Sequence, residues 1–156
     1  MDATAEGISV EREVVIAASR ETVWEFLVDP EKAVRWMGQS ADLDPRPGGR
    51  YRVEVLPGTV ASGVFVEVEP PSRLVYTWGW EPGSGSPLPP GSTIVDFELI
   101  PHGEGGTRLR LTHRSLPGPE AARSHAHGWE HYLARLAAVA SGGDPGADEW
   151  VARQPQ

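Results

Sequence analysis

The chain has 156 residues with 14 Lys and Arg against 22 Asp and Glu, a net charge of −8, and no cysteine. That length predicts one ordinary domain with a single core, and the missing thiols exclude a disulfide scaffold, thiolate metal sites and a cysteine nucleophile. The acidic balance excludes the basic face that nucleic acid requires, and with no leader-like apolar stretch and no run long enough to span a bilayer, a cytoplasmic protein without membrane insertion is expected.

Ile8 to Ile16 alternates, placing Ile8, Val10, Val14 and Ile16 on one face with Arg12 among them, and reads as a first strand. Ser19 is an N-cap, Glu21 suits a first turn, and Val23, Phe26 and Leu27 recur at helical spacing, so a first helix follows. It breaks at Asp29-Pro30, which caps and opens a second short helix ending at Met37-Gly38, with Trp36 as its buried anchor. After a loop rich in Asp, Pro and Gly over 42–49, three strands are expected. Arg50 to Leu56, Val60 to Glu69 and Arg73 to Trp80 are parted by Pro57-Gly58 and Pro70-Pro71. In the third of these, Leu74, Tyr76, Trp78 and Trp80 share an inward face.

Glu81 to Ser92 has turn chemistry and little apolar content, and reads as a long flexible loop of the kind that often forms a lid. Thr93 to Ile100 and Thr107 to Arg114 form a hairpin around His102 to Gly106, with Val95, Phe97 and Leu99 facing Leu109, Leu111 and His113. A turn centred on Gly103 sets Glu98 opposite Arg108 and Asp96 opposite Arg110 on the solvated face. Pro117 to Glu120 opens a long helix that Gly142-Gly143 stops. At about 100° per residue its Trp129, Leu133, Leu136 and Ala140 fall in one stripe, flanked by Tyr132 and Val139. Residues 144–156 read as a polar tail, and whether its Trp150 docks on the body is left open. The expected fold class is α+β: a single domain over 1–143, with a curved antiparallel sheet of about six strands wrapped around the long C-terminal helix and two short helices after the first strand.

Four segments in this order, ASRETVWEFLVD (18–29), DPRPGGRY (44–51), VFVEVEPPSRLVYTW (64–78) and HAHGWEHYLARL (125–136), each generic alone, together make a specific pattern. The chain resembles the Bet v1-like helix-grip superfamily, also called START-like or SRPBCC. Within it, the chain is similar to bacterial single-domain proteins related to the C-terminal domain of the activator of Hsp90 ATPase. A single lysine among 13 arginines, with much Ala, Gly and Pro, fits a GC-rich bacterial genome. Ser19 departs from the family's frequent proline, and the Gly/Pro-rich insertion before Ser92 departs at the place where a cavity would open. The resemblance implies a hydrophobic cavity between the sheet and the last helix, taking a lipid, a polyketide-like compound or another aromatic small molecule. It also embraces polyketide cyclases, hydrolases and antibiotic self-resistance proteins. A chaperone contact of the Hsp90-activator kind ranks last, and no cofactor is expected.

The candidate ligand-binding residues are Tyr76, Trp78, Trp80, Phe97, Leu111, His113, His125, Trp129, Tyr132 and Leu133. Trp24 and Trp36 read instead as packing between helix and sheet. His125 shares the stripe of Trp129, where a lone histidine is more often a satisfied core residue than a ligand contact. The recurring H-x-x-G-W pattern would use Gly128 for close approach of helix to sheet. His127 and His131 fall roughly opposite the stripe with no third ligand in view, so no metal is expected. Catalytic motifs are absent from the sequence; any chemistry would rest on proton transfer by His113 or His125.

Overall fold

The structure, a computed structural model, describes residues 7–83 and 88–152. The extreme N-terminus, the middle of the expected lid (84–87) and the end of the tail (153–156) lie outside the described residues. The elements are β1 (Ile8–Ile16), α1 (Arg20–Val28), α2 (Pro30–Ala33), β2 (Ser40–Leu43), β3 (Arg50–Leu56), β4 (Thr59–Glu69), β5 (Arg73–Trp78), β6 (Thr93–His102), β7 (Gly106–Leu116), α3 (Pro119–Ala140) and α4 (Glu149–Ala152). The strands form one curved antiparallel sheet in the order β1-β7-β6-β5-β4-β3-β2, and α3 lies across its concave face. This is the helix-grip architecture.

Local chemistry explains the helical corner. Ser19 Oγ accepts the Thr22 N–H at 3.2 Å and Asp29 Oδ1 accepts the Glu31 N–H at 3.0 Å, so each short helix has a side-chain cap. Asp29 also donates its own N–H to Glu25 O, closing α1 while opening α2. The second helix is shorter than the sequence predicts. After Ala33 the chain tightens into turns, with Arg35 N–H on Lys32 O and Trp36 N–H on Ala33 O, before Gly38 leaves with a φ of 95°. Trp36 is the anchor expected of it, 3% exposed with its indole N–H on Phe26 O at 2.8 Å.

Three expectations about strands are corrected. A seventh strand, β2, pairs with β3 at the sheet edge; its four residues, two of them Ser and Asp, carry too little apolar alternation to be seen in sequence. β5 ends at Trp78 rather than Trp80, because the returning loop lies against Gly79, where a Cβ would stand 1.6 Å from Pro89 O. Trp80 keeps a single bridge to Ala61. The β6–β7 hairpin closes through Gly103 and Gly105, both at positive φ, and pairs Glu98 with Arg110 and Asp96 with Thr112. The two-residue difference from the expected register keeps the parity of the faces, so Leu99, Phe97 and Val95 still oppose Leu109, Leu111 and His113 inside. Asp96 is held by Arg73 at 2.8 Å and Arg114 at 3.0 Å instead of by Arg110.

The two halves of α3 meet the sheet differently. Leu133, Leu136, Val139 and Ala140 are buried in a continuous core with Ile16, Leu109 and Leu111. At roughly 1.5–3 kcal/mol per fully buried large aliphatic side chain, this half anchors the helix. Arg12 reaches α3 from edge strand β1, pairing with Glu130 at 2.9 Å. The N-terminal half stands off from β3–β5 and leaves space. Among the described residues, no helix is long and apolar enough to cross a membrane.

Candidate functional site

That space is a cleft of about 500 Å³. Trp78 and Val55 line it from the strands, with Trp80 from just past β5. Ala121, His125, Gly128, Trp129 and Tyr132 line it from α3, and Met37, Leu56, Leu88 and Trp150 complete the apolar wall. Thr59, Ser124 and Glu120 are its remaining polar contributions, with Ser124 and Glu120 exposed. Gly128 does not serve close approach of helix to sheet: a Cβ there would meet nothing within 4 Å. Its missing side chain enlarges the cleft instead.

The loop after β5 contributes through backbone bonds. Trp80 N–H donates to Leu88 O at 2.8 Å and Gly91 N–H to Ser62 O at 3.1 Å, which seats the Leu88 side chain, 4% exposed, in the wall. On the opposite rim the tail folds back onto α3. Trp150 stacks on His131 with ring centroids 3.8 Å apart and planes 5° apart, and on His127 at 5.2 Å. His131 Nε2 bonds Asp148 Oδ1 at 2.8 Å, and Arg135 donates to the carbonyls of Pro145 and Gly146. The part of the polar tail that is described is therefore docked, and it ends in a short helix.

Two histidines are fully engaged, His125 in the wall of the cleft and His113 behind it. His113, 0% exposed, accepts the Trp129 indole N–H on Nδ1 at 3.0 Å, and its Nε2 lies 2.8 Å from Thr93 Oγ1. Because the Thr93 hydroxyl donates to Trp78 O at 2.7 Å, its oxygen is left to accept from the histidine. His113 is accordingly the neutral Nε2–H tautomer. Burial, reinforced by neighbouring His125, pushes its pKa down to about 3. His125 Nε2 accepts the Trp80 indole N–H at 3.2 Å, while its Nδ1–H donates to Ala121 O at 2.8 Å. Burial lowers its pKa too, partly offset by the bond to Ala121. A general base needs a nitrogen free to take a proton from a reactant. In this arrangement both nitrogens of each ring are engaged, and the two rings form hydrogen-bonded struts between the helix and the opposite wall.

Of the ten predicted ligand-binding residues, Trp78, Trp80, His125, Trp129 and Tyr132 line the cleft. Tyr76, Phe97, Leu111, His113 and Leu133 do not; they are packed beneath it, each less than 5% exposed. They point inward as expected, but an inward position on a sheet meets either core or cavity, and alternation cannot separate the two. Tyr76 stacks on Tyr51 at 4.0 Å and forms solid core. The wall residues that sequence reasoning missed come mainly from loops and ends: Met37, Leu56, Thr59, Leu88, Pro117 and Trp150, together with Glu120, Ala121 and Ser124 in the first turns of α3. Leu88, a lone leucine in a Gly/Pro-rich loop, and Trp150, a tryptophan in a polar tail, were the available signals. No group of three or more potential metal ligands occurs among the described residues.

A curved antiparallel sheet gripping one long helix over an apolar cleft defines the protein as a helix-grip domain of the Bet v1-like class. The profile of the activator of Hsp90 ATPase homolog 1-like (AHSA1) proteins matches residues 17–141, and the chain belongs to that family. Among solved structures, it is similar to an AHSA1-like protein from Rhizobium etli at 47% identity, covering 96% of this chain and 91% of that one with a TM-score of 0.73. CalU16 from Micromonospora echinospora is 30% identical over 86% of this chain and 76% of its own, with a TM-score of 0.67. DynU16, from the dynemicin biosynthetic locus, is 25% identical over 90% of this chain and 50% of its own, with a TM-score of 0.75. No curated protein matches the chain.

Proposed function

We propose that the protein binds a hydrophobic small molecule in the cleft between β3–β5 and the N-terminal half of α3. The observation that carries this reading is the cleft itself: about 500 Å³ of space walled by Trp, Leu, Met, Val and Ala, on a domain whose other inward residues close into a dense core. A volume of a few hundred Å³ with apolar walls and few polar groups is the usual form of a small-molecule site. The similarity to DynU16, a protein of a biosynthetic locus, supports a small organic ligand over a protein partner. The engagement of both His113 and His125 nitrogens favours binding over turnover.

Gly128 supplies a clean test, since the open space beside it accepts a side chain without moving the backbone. Replacing it by leucine also removes the roughly 1 kcal/mol penalty of a mid-helix glycine. Native mass spectrometry of freshly purified protein should reveal a co-purified apolar compound, and 9-fluorenone, a neutral aromatic probe, should bind with one-to-one stoichiometry by calorimetry. Gly128→Leu should fold at least as stably and weaken fluorenone binding by tenfold or more. Equal binding by the variant would place the ligand elsewhere.

A further inference from the structure

The walls of the cleft differ sharply in what their polar atoms have left to offer. The indole N–H groups of Trp80 and Trp129 are committed to His125 and His113, and both nitrogens of His125 are taken. Two lining side chains are exceptions: the Tyr132 hydroxyl makes no close hydrogen bond but lies beside the Asp148 carboxylate, and the second is Trp78. It is 3% exposed and lines the cleft, yet its Nε1–H is buried without any hydrogen-bond partner among the described residues. Its ring is fixed by Trp80 at 5.2 Å, Trp129 at 5.6 Å and His113 at 6.0 Å, so the donor is held in a rigid aromatic frame. Buried donors are nearly always paired, and one left unpaired on a ring that lines a cavity calls for an acceptor supplied from outside the chain.

The charges of the wall are equally one-sided. Among the described lining residues none is Lys or Arg, and the sole carboxyl is that of Glu120, exposed in the first turn of α3. An anionic ligand would enter an apolar space with no counter-charge, past a carboxylate, on a chain of net charge −8. We infer that the ligand, on the reading that the cleft is a binding site, is a neutral, largely apolar molecule carrying a carbonyl or ether oxygen that accepts the Trp78 indole N–H. Apolar walls supply the bulk of its affinity, and the fixed indole donor of Trp78 orients it. Selectivity comes from the same donor: a hydrocarbon of equal shape leaves it unpaired, whereas the oxygenated molecule satisfies it.

Three probes of one skeleton separate these contributions: 9-fluorenone, fluorene, which lacks the oxygen, and 9-fluorenone-4-carboxylate, which adds a negative charge. Calorimetry on the native protein should show fluorenone binding about tenfold more tightly than fluorene, the usual scale for one hydrogen bond in a dry site, and more tightly than the carboxylate by at least as much. Trp78→Phe keeps an aromatic ring and removes the donor, so the preference for fluorenone over fluorene should collapse toward one, whatever the smaller ring does to the affinity of both. ¹⁵N-labelled native protein gives a readout that does not depend on the folding of that variant: fluorenone, but not fluorene, should move the Trp78 indole N–H resonance downfield. Equal binding of fluorenone and fluorene, or a carboxylate that binds as well as either, would overturn the ligand class while leaving the cleft as a binding site. If none of the three probes binds, and Gly128→Leu behaves as the native protein does, the binding reading fails with it.

Discussion

His113 concentrates at one residue the coupling between helix and sheet. Its ring ties Trp129 of α3 to Thr93 of β6, and through Thr93 to the backbone of β5. His113→Leu would keep the bulk and strand the Trp129 indole N–H in the core, an expected loss of about 1–3 kcal/mol in a urea titration. The ring also makes stability depend on pH. In the unfolded chain the imidazole takes a proton near pH 6.5, whereas in the fold it does so only near 3. The unfolded state therefore binds more protons between those values. The contribution is complete above about pH 6.5 and is lost as pH falls toward 3, at no more than about 1.4 kcal/mol per unit. His125 acts in the same direction. Urea midpoints should fall between pH 7.5 and 5, and His113→Gln, which does not titrate, should show a shallower fall; an unchanged slope would mean that this ring is not the one taking up the proton. His127, exposed on the far side of α3, should tolerate alanine better than His125, whose ring bridges Trp80 and Ala121.

At the scale of elements, α3 is one helix with two tasks, a dry anchor toward its C-terminus and a cleft wall toward its N-terminus. Its apolar stripe was legible in the sequence because 3.6-residue spacing fixes which side chains face inward. The division of labour was not, because it depends on how far β3–β5 curve away from the helix. The same limit applies to the hairpin, where parity gave the correct inner face but the turn set the register. Sequence spacing placed His131 correctly on the face away from the stripe. It missed that Asp148 and Trp150 return to cover that face, a contact between residues 17 and 19 apart across a Gly/Pro-rich turn. Trp150→Ala should release this strap. A loss of about 1 kcal/mol or less in global stability is expected, since the core proper is untouched. Release of bound fluorenone should quicken several-fold because one rim of the cleft is removed, and stopped-flow dissociation would show it. An unchanged off-rate would mean that the tail is ornamental to the site. Trp129→Arg, by contrast, places an unpaired charge within the core and should prevent folding, readable as loss of near-ultraviolet circular dichroism.

For the molecule as a whole, the sheet has a stable middle and two weaker margins. β5, β6 and β7 are flanked on both sides by other strands and hold the most deeply buried residues, whereas four-residue β2 and half-exposed β1 are edges. Amide exchange should be slowest in β6 and β7 and fastest in β2 and the docked tail. Fast exchange in β7 would contradict the view that His113 and its neighbours are the keystone. The overall α+β plan was readable from four ordered motifs, while cleft volume was not, since volume is a property of the space between elements and no residue encodes it alone. One further consequence lies in where the tryptophans sit. Of the six, Trp78, Trp80, Trp129 and Trp150 line the cleft, and Trp24 and Trp36 belong to the helical corner. The intrinsic ultraviolet emission of the protein therefore arises largely from the wall of its own cleft, and an aromatic ketone entering it would quench most of that light while the remaining pair serves as an internal reference.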